Sequence, residues 1–284
     1  KAMGKMGCLS DAQRAILTEA QYGLNVLSEE EVVAIGGGET PVTSLSDDQL
    51  EEFLQVANLL YRGGEVLITD SQYDFTCLAE LARRHPGHPY LHTVEPEAAI
   101  EAKTVELPVR MLSTEKAYDF SAIVNWAKRI EKAAGECDTH FASLVFRVTP
   151  KLDGFAAYDD GQTLYTRGDG RRGTDITRVF DRGLQVATGG RRGLGAGEIV
   201  VSRGYFRDHL AALFDNSRNF QASLIKEKEL EPPALEAIRS GQAVFFPFSL
   251  LPAWEGPWTE FADNFEGIVD QLWGKIDYDI DGIV

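Results

Sequence analysis

The chain has 284 residues, of which 44% are hydrophobic and 10% aromatic, and a formal net charge of −16 at pH 7. This length and composition suit one large globular domain or two ordinary ones with a sizeable core, and exclude a low-complexity chain. No apolar run is long enough to span a membrane, and Lys1–Met6 carries no apolar stretch of the secretory type, so a soluble, cytoplasmic protein is expected.

Three cysteines, Cys8, Cys77 and Cys137, are scattered and odd in number, which argues against a disulfide framework, and no Cys/His spacing suggests zinc. The acidic balance argues against DNA gripped by counterion release over the whole surface. Basic residues do cluster locally, at Arg167, Arg171, Arg172, Arg178, Arg182, Arg191, Arg192, Arg203 and Arg207. From charge alone a solvated, salt-bridged face is favoured over a phosphate-facing one.

Residues 9–26 read as a helix, opened by a Ser10/Gln13 capping box. Gly36-Gly37-Gly38 reads as a linker that ends an N-terminal extension, residues 1–45. A second capping box, Ser46/Gln49, opens a helix in which Leu50, Phe53, Leu54, Ala57 and Leu60 recur at helical spacing, and Gly63-Gly64 ends it. Another helix is expected from Asp70 or Ser71 to just before Pro86, and an amphipathic one over about 119–134. His85, His88 and His92 lie among prolines with no standard metal spacing and read as loop residues.

From Leu144 the pattern changes to short strands, at 144–149, 154–158, 163–166, 198–203 and 243–248, with a helix near 207–215. Pro252, Trp254, Pro257 and Trp258 read as a packed loop. The last residues, Asp281 to Val284, read like the middle of a strand, so the chain is expected to continue beyond them. A helical part followed by a strand-rich part gives an α+β fold, a small helical domain over 46–104 and a mixed antiparallel-sheet domain over 105–284.

The chemistry concentrates in Thr149-Pro150-Lys151-Leu152-Asp153-Gly154. A lysine between strands, beside a carboxylate and a glycine, is a candidate for covalent catalysis, because its surroundings can favour the neutral amine and the glycine lets a ligand approach the backbone. Arg167-Gly168-Asp169 spells an adhesion tripeptide but reads as a turn.

Several segments in order carry a resemblance: Met111-Leu112-Ser113 with Ala117-Tyr118, then Lys151-Leu152-Asp153-Gly154, Thr166-Arg167-Gly168-Asp169-Gly170, Gly173-Thr174-Asp175-Ile176-Thr177, Gly197-Glu198-Ile199, Asn216-Ser217-Arg218-Asn219 and Ile280-Asp281-Gly282-Ile283-Val284. Together they resemble the nucleotidyltransferase domain of NAD-dependent DNA ligases. Upstream, Tyr61 with Asp70-Ser71-Gln72-Tyr73-Asp74 resembles the small helical domain of that family that binds nicotinamide mononucleotide. The resemblance covers about residues 46–284.

It implies that Lys151 attacks the adenylyl phosphate of NAD and releases nicotinamide mononucleotide, the AMP then passing to a 5′-phosphate at a nick in double-stranded DNA. Asp153, Arg167, Glu198 and Asp281 would join Lys151 in catalysis, with Asp281 and Glu198 holding Mg²⁺. Tyr61, Arg62, Asp70, Tyr73, Asp74, Leu112, Ser113, Thr149, Gly154 and Arg218 would bind the cofactor. A monomer with no membrane partner is expected.

The chain departs from the family pattern in places. Thr149 stands where the family has a glutamate and Arg62 where it has a histidine; an arginine expected after the Asn216–Asn219 block falls near Ile225 or Lys226, and the segment between Glu198 and Arg218 is shorter than in the family. These departures mark a divergent branch. They keep two alternatives open: a nucleotidyltransferase that uses ATP or acts on RNA, and a non-catalytic nucleotide-binding module.

Overall fold

The computed structural model describes residues 7–69, 72–92, 104–227 and 229–284. The chain divides into two compact units, Lys1–Ser113 with Arg167–Thr174, and Thr114–Thr166 with Asp175–Val284. Helices and a largely antiparallel set of strands make the α+β class expected from the sequence.

In the first unit the capping boxes expected at Ser10 and Ser46 both form, each serine accepting from the backbone three residues on. They open α1 (Asp11–Glu19) and, after α2 (Glu29–Gly36), α3 (Asp47–Gly63). Helix α1 stops well short of residue 26. Gln21 takes a positive φ of 52°, the Tyr22 amide closes the helix end on the Leu17 carbonyl, and a few residues later the chain finds another acceptor. Asn25, Val26 and Leu27 donate their N–H groups to the carboxylate of Glu52, at 2.7, 2.8 and 2.6 Å. Glu52 lies on α3 and is 5% exposed, so one buried acid of α3 holds the chain that precedes α2.

The sequence reading passed over α2, although Ser28 and Glu31 form the same capping box. Gly36-Gly37-Gly38 is the end of α2 and not a linker: the Gly37 amide donates to Val33 and the Gly38 amide to Ile35. Gly64, at φ 93°, ends α3 in the left-handed conformation. The buried face of α3 carries the expected Leu50, Phe53, Leu54, Ala57 and Leu60.

Beyond it, a π-helical turn (Tyr73–Leu78) runs into α4 (Ala79–Arg84). Glu80 of α4 is clamped by Arg83 and Arg84 at 2.8 Å each, and their hydrogen bonds pull its carboxyl down to about 2. Strand β1 (Thr104–Glu106) pairs antiparallel with Arg172–Thr174. The Arg-Gly-Asp-Gly stretch is a turn as expected. Asp169 accepts from the amides of Arg171 and Arg172, and the Gly170 amide donates to Arg167.

The second unit opens with α5 (Phe120–Glu136), capped by Asp119, which accepts from the Ala122 amide at 2.8 Å. Strands β2 (Phe146–Val148), β3 (Pro150–Leu152), β4 (Phe155–Asp159) and β5 (Leu164–Thr166) follow. The segment paired with β1 is β6, and then come α6 (Arg178–Asp181), β7 (Gln185–Val186) and β8 (Gly195–Val201). Helices α7 (Ser217–Lys226) and α8 (Pro232–Arg239) precede β9 (Ala243–Pro247) and β10 (Trp254–Gly256), and α9 (Trp258–Asp263) and α10 (Phe265–Trp273) precede β11 (Ile280–Ile283).

A five-stranded sheet has the order β5-β4-β8-β9-β7, antiparallel except between β7 and β9. The single strand expected at 144–149 is part of a longer extended run that changes partner at Thr149. Before it β2 pairs with β10, and after it β3 pairs with β11. The helix expected near 207–215 is a short helical turn and a π turn over 203–210.

Two apolar clusters flank the β3–β11 pair. Leu152, Val200, Val244 and Ile276 form one, against Phe246, Tyr278 and Ile280. Val148, Phe261, Ile268 and Leu272 form the other, against Trp254, Trp258 and Ile283. The two tryptophans are therefore packed, as the sequence suggested, but they do not lie in a loop: Trp254 opens β10 and Trp258 opens α9. Replacing Glu52 with alanine should cost about 2–3 kcal/mol by orphaning the Asn25, Val26 and Leu27 amides. Chemical denaturation reads the loss, and hydrogen exchange should show those amides deprotected first.

Candidate active site

Lys151 is the middle residue of β3, and its partner strand carries an irregularity that matters. Ile280 faces Leu152, and Gly282 faces Lys151, so Asp281 is the extra residue of a β-bulge. A bulge re-aims a side chain that regular pairing would send elsewhere. Here the Asp281 carboxylate meets the Lys151 ammonium with both oxygens, at 2.8 and 2.7 Å. The backbone closes around the pair: the Thr149 and Val284 amides and carbonyls exchange hydrogen bonds at 2.8 and 2.9 Å, and the Asp153 amide donates to Asp279 at 2.9 Å.

The Asp281 side chain keeps 34% of its surface open. Packing around it nonetheless pushes its carboxyl above the ordinary aspartate range, an effect that Lys151 opposes and the charge of Asp153 adds to. Asp153 is held by an ion pair with Arg218, the second residue of α7.

Glu198 lies on β8, opposite Ala156 of β4 and Phe246 of β9. Its carboxylate reaches Gly154: a Cβ added there would sit 2.9 Å from Glu198 Oε2, 2.5 Å from the Ile199 carbonyl oxygen and 2.7 Å from Val200 Cγ1. Only a glycine lets the chain pass from the lysine strand onto the main sheet at this point. The second unit thus brings together Lys151, Asp153, Gly154, Arg218 and Asp281, with Glu198 against the glycine.

Among the described residues no group of three His, Cys, Asp or Glu side chains forms a metal cage. The donor set here is a carboxylate with a second one within electrostatic reach. That suits Mg²⁺, which is held by one or two carboxylates together with phosphate oxygens and water.

The remaining expected site residues, apart from Thr149 of the second unit, belong to the first unit. Tyr61 and Arg62 sit in the last turn of α3, where Arg62 donates to Asn58 at 3.0 Å. Tyr73 and Asp74 open the π turn, which packs on α3, and the Tyr73 hydroxyl meets that of Tyr90 at 2.8 Å. Asp70 and Ser71 lie outside the described residues. Leu112 is 68% exposed and Ser113 is exposed, while Arg167 is half-buried at the start of the 167–170 turn. Thr149 is half-buried beside Lys151.

Much of the arginine cluster is engaged within the chain, as the charge argument favoured. Arg178 donates to the Ile225 carbonyl, and Arg182 to those of Leu224 and Glu227, at the end of α7. Arg192 forms an ion pair with the fully buried Asp159 and stacks over Phe180, and Arg207 pairs with Asp208. The reading from sequence missed Ser217 and Asp279, whose side chains bond at 2.6 Å. Ser217 stood in the sequence only as a member of the Asn216–Asn219 segment, with no role attached, and Asp279 had no local signal.

Replacing Gly154 with alanine should destabilise the second unit by about 1–3 kcal/mol, because the added carbon meets backbone and strand side chains. Thermal melting reads the loss, and the Lys151–Asp281 contact should be disturbed with it.

Residues 100–184 match the family described as the NAD-dependent DNA ligase adenylation domain. The chain is 58% identical over 276 residues to a DNA ligase of Desulfotalea psychrophila, covering 97% of this chain and 41% of that protein. It is 51% identical over 242 residues to a DNA ligase of Psychromonas ingrahamii, covering 85% of this chain and 37% of that protein. A DNA ligase of Shewanella baltica is 44% identical over 275 residues, with 97% and 42% covered. The chain therefore spans about two-fifths of the length of these relatives. On these matches the chain is related to the DNA ligases, and its residues 100–184 belong to the NAD-dependent DNA ligase adenylation domain family.

Proposed function

We propose that this chain is the adenylating part of an NAD-dependent DNA ligase, with Lys151 as the residue that carries AMP. The observation that supports this reading best is the Lys151–Asp281 contact on a bulged strand pair, inside a chain related to DNA ligases over nearly its whole length.

The Lys151 ammonium first loses a proton, and Asp281, whose carboxyl is raised by its surroundings, lies in contact to take it and pass it to solvent. The neutral nitrogen then bonds to the adenylyl phosphorus of NAD. The bond from that phosphorus to the nicotinamide mononucleotide phosphate breaks, and the mononucleotide leaves with the bonding pair. The nitrogen gives its second proton to solvent, leaving a phosphoramidate.

Arg218 supplies fixed positive charge beside Asp153, suited to charge that builds on the phosphate oxygens. Asp281, relieved of the ammonium, and Asp153 or Glu198 would hold Mg²⁺, which would add Lewis-acid stabilisation of the same charge. Glu198 is suited to accept from a ribose hydroxyl. Tyr61, Arg62, Tyr73 and Asp74 would bind the mononucleotide half, and Leu112, Ser113, Thr149 and Arg167 the adenylate half. The AMP would pass to a 5′-phosphate at a DNA nick and be displaced by the 3′-hydroxyl.

Intact mass spectrometry of the chain after incubation with NAD and Mg²⁺ should show one added AMP on Lys151, and none with ATP. Lys151→Ala should abolish the addition with the fold intact by circular dichroism; AMP uptake by that variant would sink the assignment. Asp74→Ala should slow the reaction with NAD while sparing the sealing of a pre-adenylated nick, and equal loss of both steps would remove the nicotinamide role.

A further inference from the structure

The start of α7 holds the lysine strands by two adjacent residues rather than one. Asn216 caps the helix, accepting from the Asn219 amide at 2.8 Å. Ser217, the first helical residue, is 8% exposed and donates its hydroxyl to Asp279 Oδ2 at 2.6 Å. Arg218, the next residue, holds the Asp153 carboxylate. The Asp279 carbonyl in turn accepts from the Asp153 amide at 2.9 Å.

These contacts close a ring: Ser217 to Asp279, Asp279 to Asp153, Asp153 to Arg218, and Arg218 back to Ser217 through one peptide bond. The ring sits two residues beyond Lys151 on one strand and two residues before Asp281 on the other. It therefore locks the offset between the strands just where the bulge begins. A short bond from hydroxyl to carboxylate is among the stronger hydrogen bonds a protein makes.

The first helical position commonly takes proline, because no amide is needed there and the backbone angle is pre-set. Proline at 217 would start α7 equally well and would leave the Asp279 carboxylate without this donor. Serine gives up that pre-organisation and gains a tie to β11.

We infer that Ser217 is a positioning residue for the adenylation step, acting through Asp279 to hold Arg218 and the bulged Asp281 in register with Lys151. This rests on the adenylation reading above. Ser217 does not itself touch the reacting atoms.

The test is single-turnover AMP transfer to the chain at varied NAD, for Ser217→Ala, Ser217→Pro, Ser217→Thr and Asp279→Ala. Ser217→Ala and Ser217→Pro should each slow transfer at saturating NAD by about tenfold, the size expected for one charge-assisted hydrogen bond, with half-saturation little changed. Ser217→Thr keeps the hydroxyl and should stay within about threefold of the unaltered chain. Asp279→Ala should match Ser217→Ala, and the double variant should be no slower than either, because both remove one bond.

Circular dichroism and melting first establish that each variant is folded; a variant that does not fold is replaced by Asp279→Asn, which retains an acceptor and should behave like Ser217→Thr. A proline variant at the unaltered rate, a threonine variant as slow as alanine, or additive losses in the double variant would each overturn the inference. AMP transfer by the unaltered chain with no effect of Ser217→Ala defeats this inference alone. No transfer by the unaltered chain defeats the adenylation reading and this inference with it.

Discussion

The pairing of β3 with β11 is the constraint on which the site depends. It joins residues 130 positions apart, and nothing local holds either strand, since each has only a few residues. Its stability comes from burial on both sides. Leu152 and Ile280 of the pair belong to one apolar cluster, and Ile283 with the adjoining Val148 belongs to the other. The strands are thus fixed between two cores, and burial there offsets the entropy of closing so long a loop. The polar chemistry rides on that placement: the bulge turns Asp281 toward Lys151, and α7 holds the acids on either side.

What could be read from the sequence follows from how far each signal reaches along the chain. Capping boxes at Ser10 and Ser46 involve residues three apart, and both form. The helix over 119–134 and the strands near 155, 164 and 243 were legible from periodicity. Lys151, Asp153, Gly154, Arg218 and Asp281 could be gathered into one site because ordered motifs resembled a family, and the second unit brings those five together.

The errors have the opposite origin. Residues 20–26 continue the helical pattern of α1 in sequence, but the amides of Asn25, Val26 and Leu27 are claimed by Glu52, a residue of another helix. The glycine triplet looked like a linker, yet backbone bonds to Val33 and Ile35 make it a helix end. The partner change at Thr149 could not be seen from residues 144–149, because both partners lie more than a hundred residues downstream. The Ser217–Asp279 bond spans 62 residues and has no local pattern.

The same long span governs the order in which the protein can acquire its parts during synthesis. A nascent chain emerges from its N-terminus, and local structure such as α1 to α3 can form as soon as it is free. Lys151 is made early relative to its partner, so for the time needed to add 130 more residues it has neither Asp281 beside it nor a paired strand at its back. Until Asp281 has followed, the nascent chain therefore carries its lysine without the acid and strand that complete the site.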